Sequence, residues 1–111
     1  MTREFVILAE FDKQWTRLGL SDDDLLELQY YLCHHPDAGK VVSGTGGLRK
    51  LRWALPGRGK RGGARVAYVD IVLKGTIYLV TVYPKNEKDD LSEGEKKQIR
   101  SFIKHLAGEK S

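Results

Sequence analysis

Apolar positions recur along this chain with two periods. In the stretch from Leu48 to Leu55, Leu51, Trp53 and Leu55 alternate with Lys50, Arg52 and Ala54. That period-two pattern predicts a strand over 48–55 with one buried face, and it places Lys50 and Arg52 together on the other. A β-branched and aromatic run predicts a second strand over 64–73, and 77–83 a third, joined to it through the tight-turn dipeptide Lys74-Gly75. Residues 5–9 read as an earlier strand. Phe11, Trp15 and Leu18 recur at helical spacing, predicting a short amphipathic helix over 11–18 that Gly19 ends. Ser21 then offers an N-cap, with Asp22, Asp23 and Asp24 in the first turn, where the helix dipole favours negative charge. Leu25, Leu28 and Leu32 carry that helix to His34 and His35, before Pro36 stops it. Residues 37–47 read as a loop of small residues, and the polar run 84–90 ends the sheet. Ile99, Phe102, Ile103 and Leu106 predict a last helix over 91–107. The order is βααβββα. It implies one α+β domain over 1–111, with a mostly antiparallel sheet and helices packed on one face.

Charge changes the picture at the middle of the chain. Residues 40–65 hold eight Lys or Arg (Lys40, Arg49, Lys50, Arg52, Arg58, Lys60, Arg61, Arg65), and no Asp or Glu occurs over 38–69. The chain as a whole is +4, so the rest of it is left at −4, that is +4 less +8. Cations segregated in this way, with no carboxylate to relieve them, point to a polyanion lying between them. Pro56-Gly57-Arg58-Gly59-Lys60-Arg61-Gly62-Gly63 marks a turn or flexible loop. The strands on either side of it form a hairpin in which Arg65, opening the second arm, comes beside Arg52. A solvated sheet edge, where lysines only discourage aggregation, is the plain alternative.

Composition closes off several classes. A chain of 111 residues, 41% hydrophobic and 31% charged, suits a single folded domain and not disorder. The single Cys33 allows no internal disulfide and no Cys-rich metal site, which fits a reducing cytoplasm. The run 5–9 is too short for a signal peptide or a membrane span. Neither glycine-rich segment ends in the Gly-Lys-Ser/Thr of a P-loop. His34 and His35 are adjacent, so on a helix they point about 100° apart and cannot share one ion; they read as the positive end of a helix. His105 reads as surface and Cys33 as a small buried side chain. No metal or other cofactor is implied.

If the basic face acts on RNA, its chemistry falls to cations. Attack by a ribose 2′-OH needs a base for the hydroxyl, a proton for the leaving 5′-oxygen and positive charge for the phosphorane. Lys50, crowded by like charge, is a candidate base; Arg52 and Arg65 are candidates to clamp the phosphate, and Lys85 to act as a second cation or proton donor. The permutation among these roles stays open. Arg49, Arg58, Lys60 and Arg61 are candidate contacts to RNA backbone. Tyr68 and Tyr78 read as sheet core, whereas Tyr83, at a strand end beside Pro84, is a candidate both for base stacking and for core.

Three pieces of this chain resemble the HigB-type branch of the RelE/ParE toxin superfamily: Gly44-Thr45-Gly46-Gly47-Leu48-Arg49-Lys50-Leu51-Arg52, Lys60-Arg61-Gly62-Gly63-Ala64-Arg65, and Tyr83-Pro84-Lys85-Asn86-Glu87. The resemblance spans most of the chain and implies a RelE-like βααβββα toxin of a type II toxin–antitoxin pair. Such a toxin enters the 30S A site of the ribosome and cleaves mRNA there without a metal. Its partner is a helix-turn-helix antitoxin, through which alone operator DNA is bound. The family's cationic positions fall on Lys50, Arg52, Arg65 and Lys85. Where several relatives carry a Tyr in the last helix that stacks on the substrate base, this chain has Leu91 and Ser92. The other readings are a non-catalytic RNA- or DNA-binding module and a degenerate toxin that only regulates its operon.

Overall fold

The computed structural model describes residues 3–55, 63–85 and 90–108. The elements run β1 (Glu4–Ile7), α1 (Ala9–Arg17), α2 (Asp22–His34), β2 (Lys40–Val41), β3 (Arg49–Trp53), β4 (Ala64–Ile71), β5 (Thr76–Pro84) and α3 (Glu93–Leu106). The sheet order is β1-β5-β4-β3-β2. Among the described residues β1 runs parallel to β5, and the other strand pairs are antiparallel.

Helix starts follow local chemistry. Ser21 Oγ accepts the Asp24 N–H at 3.1 Å while the Asp24 carboxylate accepts the Ser21 N–H at 2.8 Å, a reciprocal capping box worth about 1 kcal/mol. Ser92 and Glu95 repeat it at α3. The turn between β4 and β5 is longer than a two-residue hairpin: Val72–Lys74 forms a 3-10 turn, and Gly75 closes it at φ +61°, where a side chain would be strained. β2 lies inside the segment expected to be loop, and pairs with the outer edge of β3.

The expectation that the helices pack on one face is corrected: they cover both. Ala64, Val66 and Tyr68 of β4 join a core with Phe11 and Trp15 of α1 and Leu28 and Leu32 of α2. The intervening Ala67 and Val69 join a second core with Ile103 of α3, Leu48 and Leu91. Alternate residues of a strand point to opposite faces, so α3 sits across the sheet from α1 and α2. The reason is that β4 is buried continuously from residue 64 to 69 and needs cover on each side.

One irregularity positions a side chain. Ala67 stands opposite Thr81 but Tyr68 stands opposite Leu79, leaving Val80 as the extra residue of a β-bulge in β5. Before it, Ile77 and Leu79 face α1 and α2; after it, Val82 does, and Tyr83 turns to the α3 face.

Candidate nucleic-acid interface

The β3–β4 ladder sets Arg52 opposite Arg65 and Lys50 opposite Ala67, as the hairpin reading expected. β2 sets Lys40 opposite Lys50, and β5 sets Tyr83 opposite Arg65. Directly opposed residues of antiparallel strands share a face, and so do residues two apart on one strand. Two rows result on the α3 face, Lys40–Lys50–Ala67–Thr81 and Arg52–Arg65–Tyr83, separated by about 7 Å, two strand residues. Lys40, Lys50, Arg52 and Arg65, with Ala38 and Leu51, line an open cavity of about 570 Å³. Arg65 is only 6% exposed, set flush into the floor, while Arg52 stands exposed above it.

The expectation of cations unrelieved by any carboxylate is corrected by Asp90, which arrives from the N-terminal side of α3. Its Oδ1 lies 3.6 Å from Lys50 Nζ, with the Lys50 side chain 27% and the Asp90 side chain 60% exposed. The Leu91 N–H, donating to the same oxygen at 2.8 Å, holds the Asp90 carboxyl below its ordinary range, and the charges of Lys50 and Lys96 add to this. A phosphate entering the cavity therefore competes with a solvent-exposed carboxylate for Lys50.

A family model described as the RelE toxin of the RelE/RelB toxin–antitoxin system matches residues 8–111. The chain belongs to the RelE toxin family. It is thus a toxin of the toxin–antitoxin type, with an antitoxin as its general partner. Its fold is similar to that of the E. coli toxin RelE solved in the free state as a double arginine-to-alanine mutant, with a TM-score of 0.57 and 17% identity over 80% of this chain and 90% of that one.

In this RelE-family chain the remaining candidates are dispersed. Arg49 sits on the opposite face from Lys50, where alternation with Leu51 and Trp53 places it, and its Nη1 donates to the carbonyls of Gly39 at 2.7 Å and Asp37 at 3.3 Å. It does not join the cationic rows. Lys85 is exposed one residue past β5, its N–H donating to Gly63 O at 3.2 Å, at the hairpin-loop end of the sheet, and it does not line the cavity. Arg58, Lys60 and Arg61 lie outside the described residues, as do Asn86 and Glu87. Tyr83 is 7% exposed and packs in the α3-side core, so it offers no open ring face to a base. Tyr68 is fully buried and Tyr78 meets Phe102 edge to face at 6.4 Å, as core residues do. His34 and His35 turn to different neighbours, their rings tilted against those of Tyr30 and Tyr31, and Cys33 is partly buried.

Sequence reading missed two residues at this candidate interface. Lys40 belongs to the basic stretch, but it lay in a presumed loop with no periodicity to assign its face. Asp90 is remote in sequence from the hairpin, and only tertiary folding brings it to Lys50. A separate cleft of about 500 Å³ between α1, β5 and α3 is lined largely by apolar side chains, including Leu8, Val80, Ile99 and Phe102, and it does not suit a polyanion.

Proposed function

We propose that this toxin is a ribosome-dependent mRNA endonuclease of the HigB type, acting in the cytoplasm on mRNA in the 30S A site and neutralised by a helix-turn-helix antitoxin. The observation that carries the reading is the convergence of Lys50, Arg52 and Arg65 from two strands onto one cavity. The 2′-oxygen attacks phosphorus, forming the P–O2′ bond of a cyclic phosphate and breaking P–O5′. The proton lost by the 2′-hydroxyl goes to a base, and a proton reaches the departing 5′-oxygen. Arg52 and Arg65 clamp the non-bridging oxygens and stabilise the added charge of the phosphorane. Lys50 is the candidate base, and Lys85, just past the end of β5, the candidate second cation or proton donor. The motif pieces Lys-Arg-Gly-Gly-x-Arg and Lys-Asn-Glu support the HigB-type branch. With cations as its main equipment, the chain depends on the ribosome to hold the 2′-oxygen, phosphorus and 5′-oxygen in line.

Primer extension on mRNA incubated with programmed ribosomes and the full chain tests this. The wild type is expected to create new ends within A-site codons. Arg52→Ala should lower the cleavage rate by about 10²–10³, the usual cost of losing one preorganised charge stabiliser. Wild-type ends from Arg52→Ala and Arg65→Lys, or ribosome binding by the wild type without any new ends, would overturn the assignment.

A further inference from the structure

β2 is an odd element on packing grounds. It consists of Lys40 and Val41, both exposed, Val41 at 57%. It buries neither residue, yet it is pinned from both ends. Ahead of it, the Tyr68 hydroxyl accepts the Gly39 N–H at 2.9 Å and donates to Pro36 O at 2.9 Å, while Arg49 grips the Gly39 carbonyl. Gly39 lies so close to the sheet that an added Cβ would stand 3.0 Å from the Tyr68 ring and 3.1 Å from Lys50 O. Behind it, the Val42 N–H donates to Leu48 O at 2.8 Å, and Thr45 Oγ1 both donates to Val42 O at 2.6 Å and accepts the Leu48 N–H at 3.1 Å. What this bracing fixes is the backbone at Lys40, a residue directly opposite Lys50 and in the lining of the cationic cavity.

We infer that Lys40, beside Lys50, forms a second phosphate subsite, holding the phosphate next to the one clamped by Arg52 and Arg65 on a single-stranded RNA. The inference rests on the reading of this face as an RNA site. The two rows are two strand residues apart, a span that adjacent backbone phosphates of an extended strand can bridge. Because Asp90 lies against Lys50, Lys40 is the residue that keeps the first row positive. Arg49 and Tyr68, working from the opposite face, are positioning residues for it.

A labelled 2′-O-methyl RNA hexamer, which cannot be cleaved, is titrated with the full chain over a range of salt concentrations. Lys40→Ala should flatten the slope of log K against log salt by about 0.7, the value for one single-strand phosphate, and weaken binding roughly tenfold at 50 mM salt. Lys40→Arg should keep the wild-type slope. Lys40 is exposed, so the thermal midpoint of both variants should match the wild type, which separates lost contact from lost fold. Arg52→Ala is the reference. A wild-type slope in Lys40→Ala beside a flattened slope in Arg52→Ala would overturn the second subsite and leave the RNA face standing. Wild-type slopes in both would overturn the subsite and the RNA face together.

Discussion

Replacing Tyr68 with Phe removes one oxygen from the interior and leaves the ring in place. That oxygen makes two hydrogen bonds, accepting from the buried Gly39 N–H and donating to Pro36 O, both at 2.9 Å. A buried donor left without a partner costs about 1–3 kcal/mol. Unfolding entropy of roughly 2.1 cal/mol/K per residue over 111 residues converts each kcal/mol into about 4 °C. Tyr68→Phe should therefore melt about 4–13 °C below the wild type at neutral pH. Burial pushes the Tyr68 phenol above its ordinary value of 10.0. The folded state then keeps this proton after the unfolded chain has lost it, so the residue's contribution is whole below pH 10.0 and is lost as pH climbs toward the raised value. Phe has nothing to ionise, and the gap between the two proteins should narrow above pH 10.0. Differential scanning calorimetry at a series of pH values measures both effects. Equal melting at neutral pH, or a gap that stays constant through the alkaline range, would refute the account of the clamp. The same variant, with no charge removed, should also flatten the salt dependence of RNA binding, because Lys40 loses its fixed position.

Asp90→Asn keeps an oxygen for the Leu91 N–H but frees Lys50 from a carboxylate, and should bind the RNA hexamer up to about fivefold tighter at low salt. Since the Asp90 carboxyl is held below 3.8, the stability it contributes is present above that pH and lost as pH falls through the lowered value; melting curves of variant and wild type should converge in acid. Gly39→Ala forces a methyl against the fixed Tyr68 ring and the Lys50 carbonyl and should cost about 1–3 kcal/mol, read by urea unfolding. Arg52→Ala relieves like charges set directly opposite each other and should raise stability without RNA by about 0.2–1 kcal/mol, while the cleavage assay shows the loss described above. Destabilisation by Arg52→Ala would count against the pairing as a repulsive one.

Much of this was legible in the chain because the informative patterns are local. Ser21 with Asp24, and the alternation of Leu51 and Trp53 with Lys50 and Arg52, are short-range signals, and each element they specify is present. The hairpin register followed from the same alternation, which brings Arg65 to Arg52. Alternation also carries Arg49 to the far face with Leu51, and grouping it with the RNA contacts gave composition more weight than geometry. The unbroken burial of β4 escaped notice because Arg65 interrupts its apolar run, and with it went the second helix-covered face. β2 is too short to carry a period, and Asp90 reaches Lys50 only through the packing of α3.

The bulge at Val80 explains why neither face could be read from β5 alone. With strict alternation, Tyr83 would follow Ile77 and Leu79 toward α1 and α2, and the floor beside Arg65 would be lined by Val82. The extra residue keeps Val82 in the α1–α2 core and delivers Tyr83 to the α3 side, where it closes the row begun by Arg52 and Arg65. A nearly buried guanidinium needs a wall that excludes water without displacing it, and an aromatic ring at the next strand supplies one. Tyr83, 7% exposed and opposite Arg65, is better suited to this wall than to stacking on a base. The cationic face is then flanked from behind and from the side: Tyr68 and Arg49 hold the backbone just before Lys40 from across the sheet, and Tyr83 stands beside Arg65 along it. Under the proposed cleavage of RNA, the rigidity of these neighbours decides how much of the cations' charge reaches the phosphorane-like transition state.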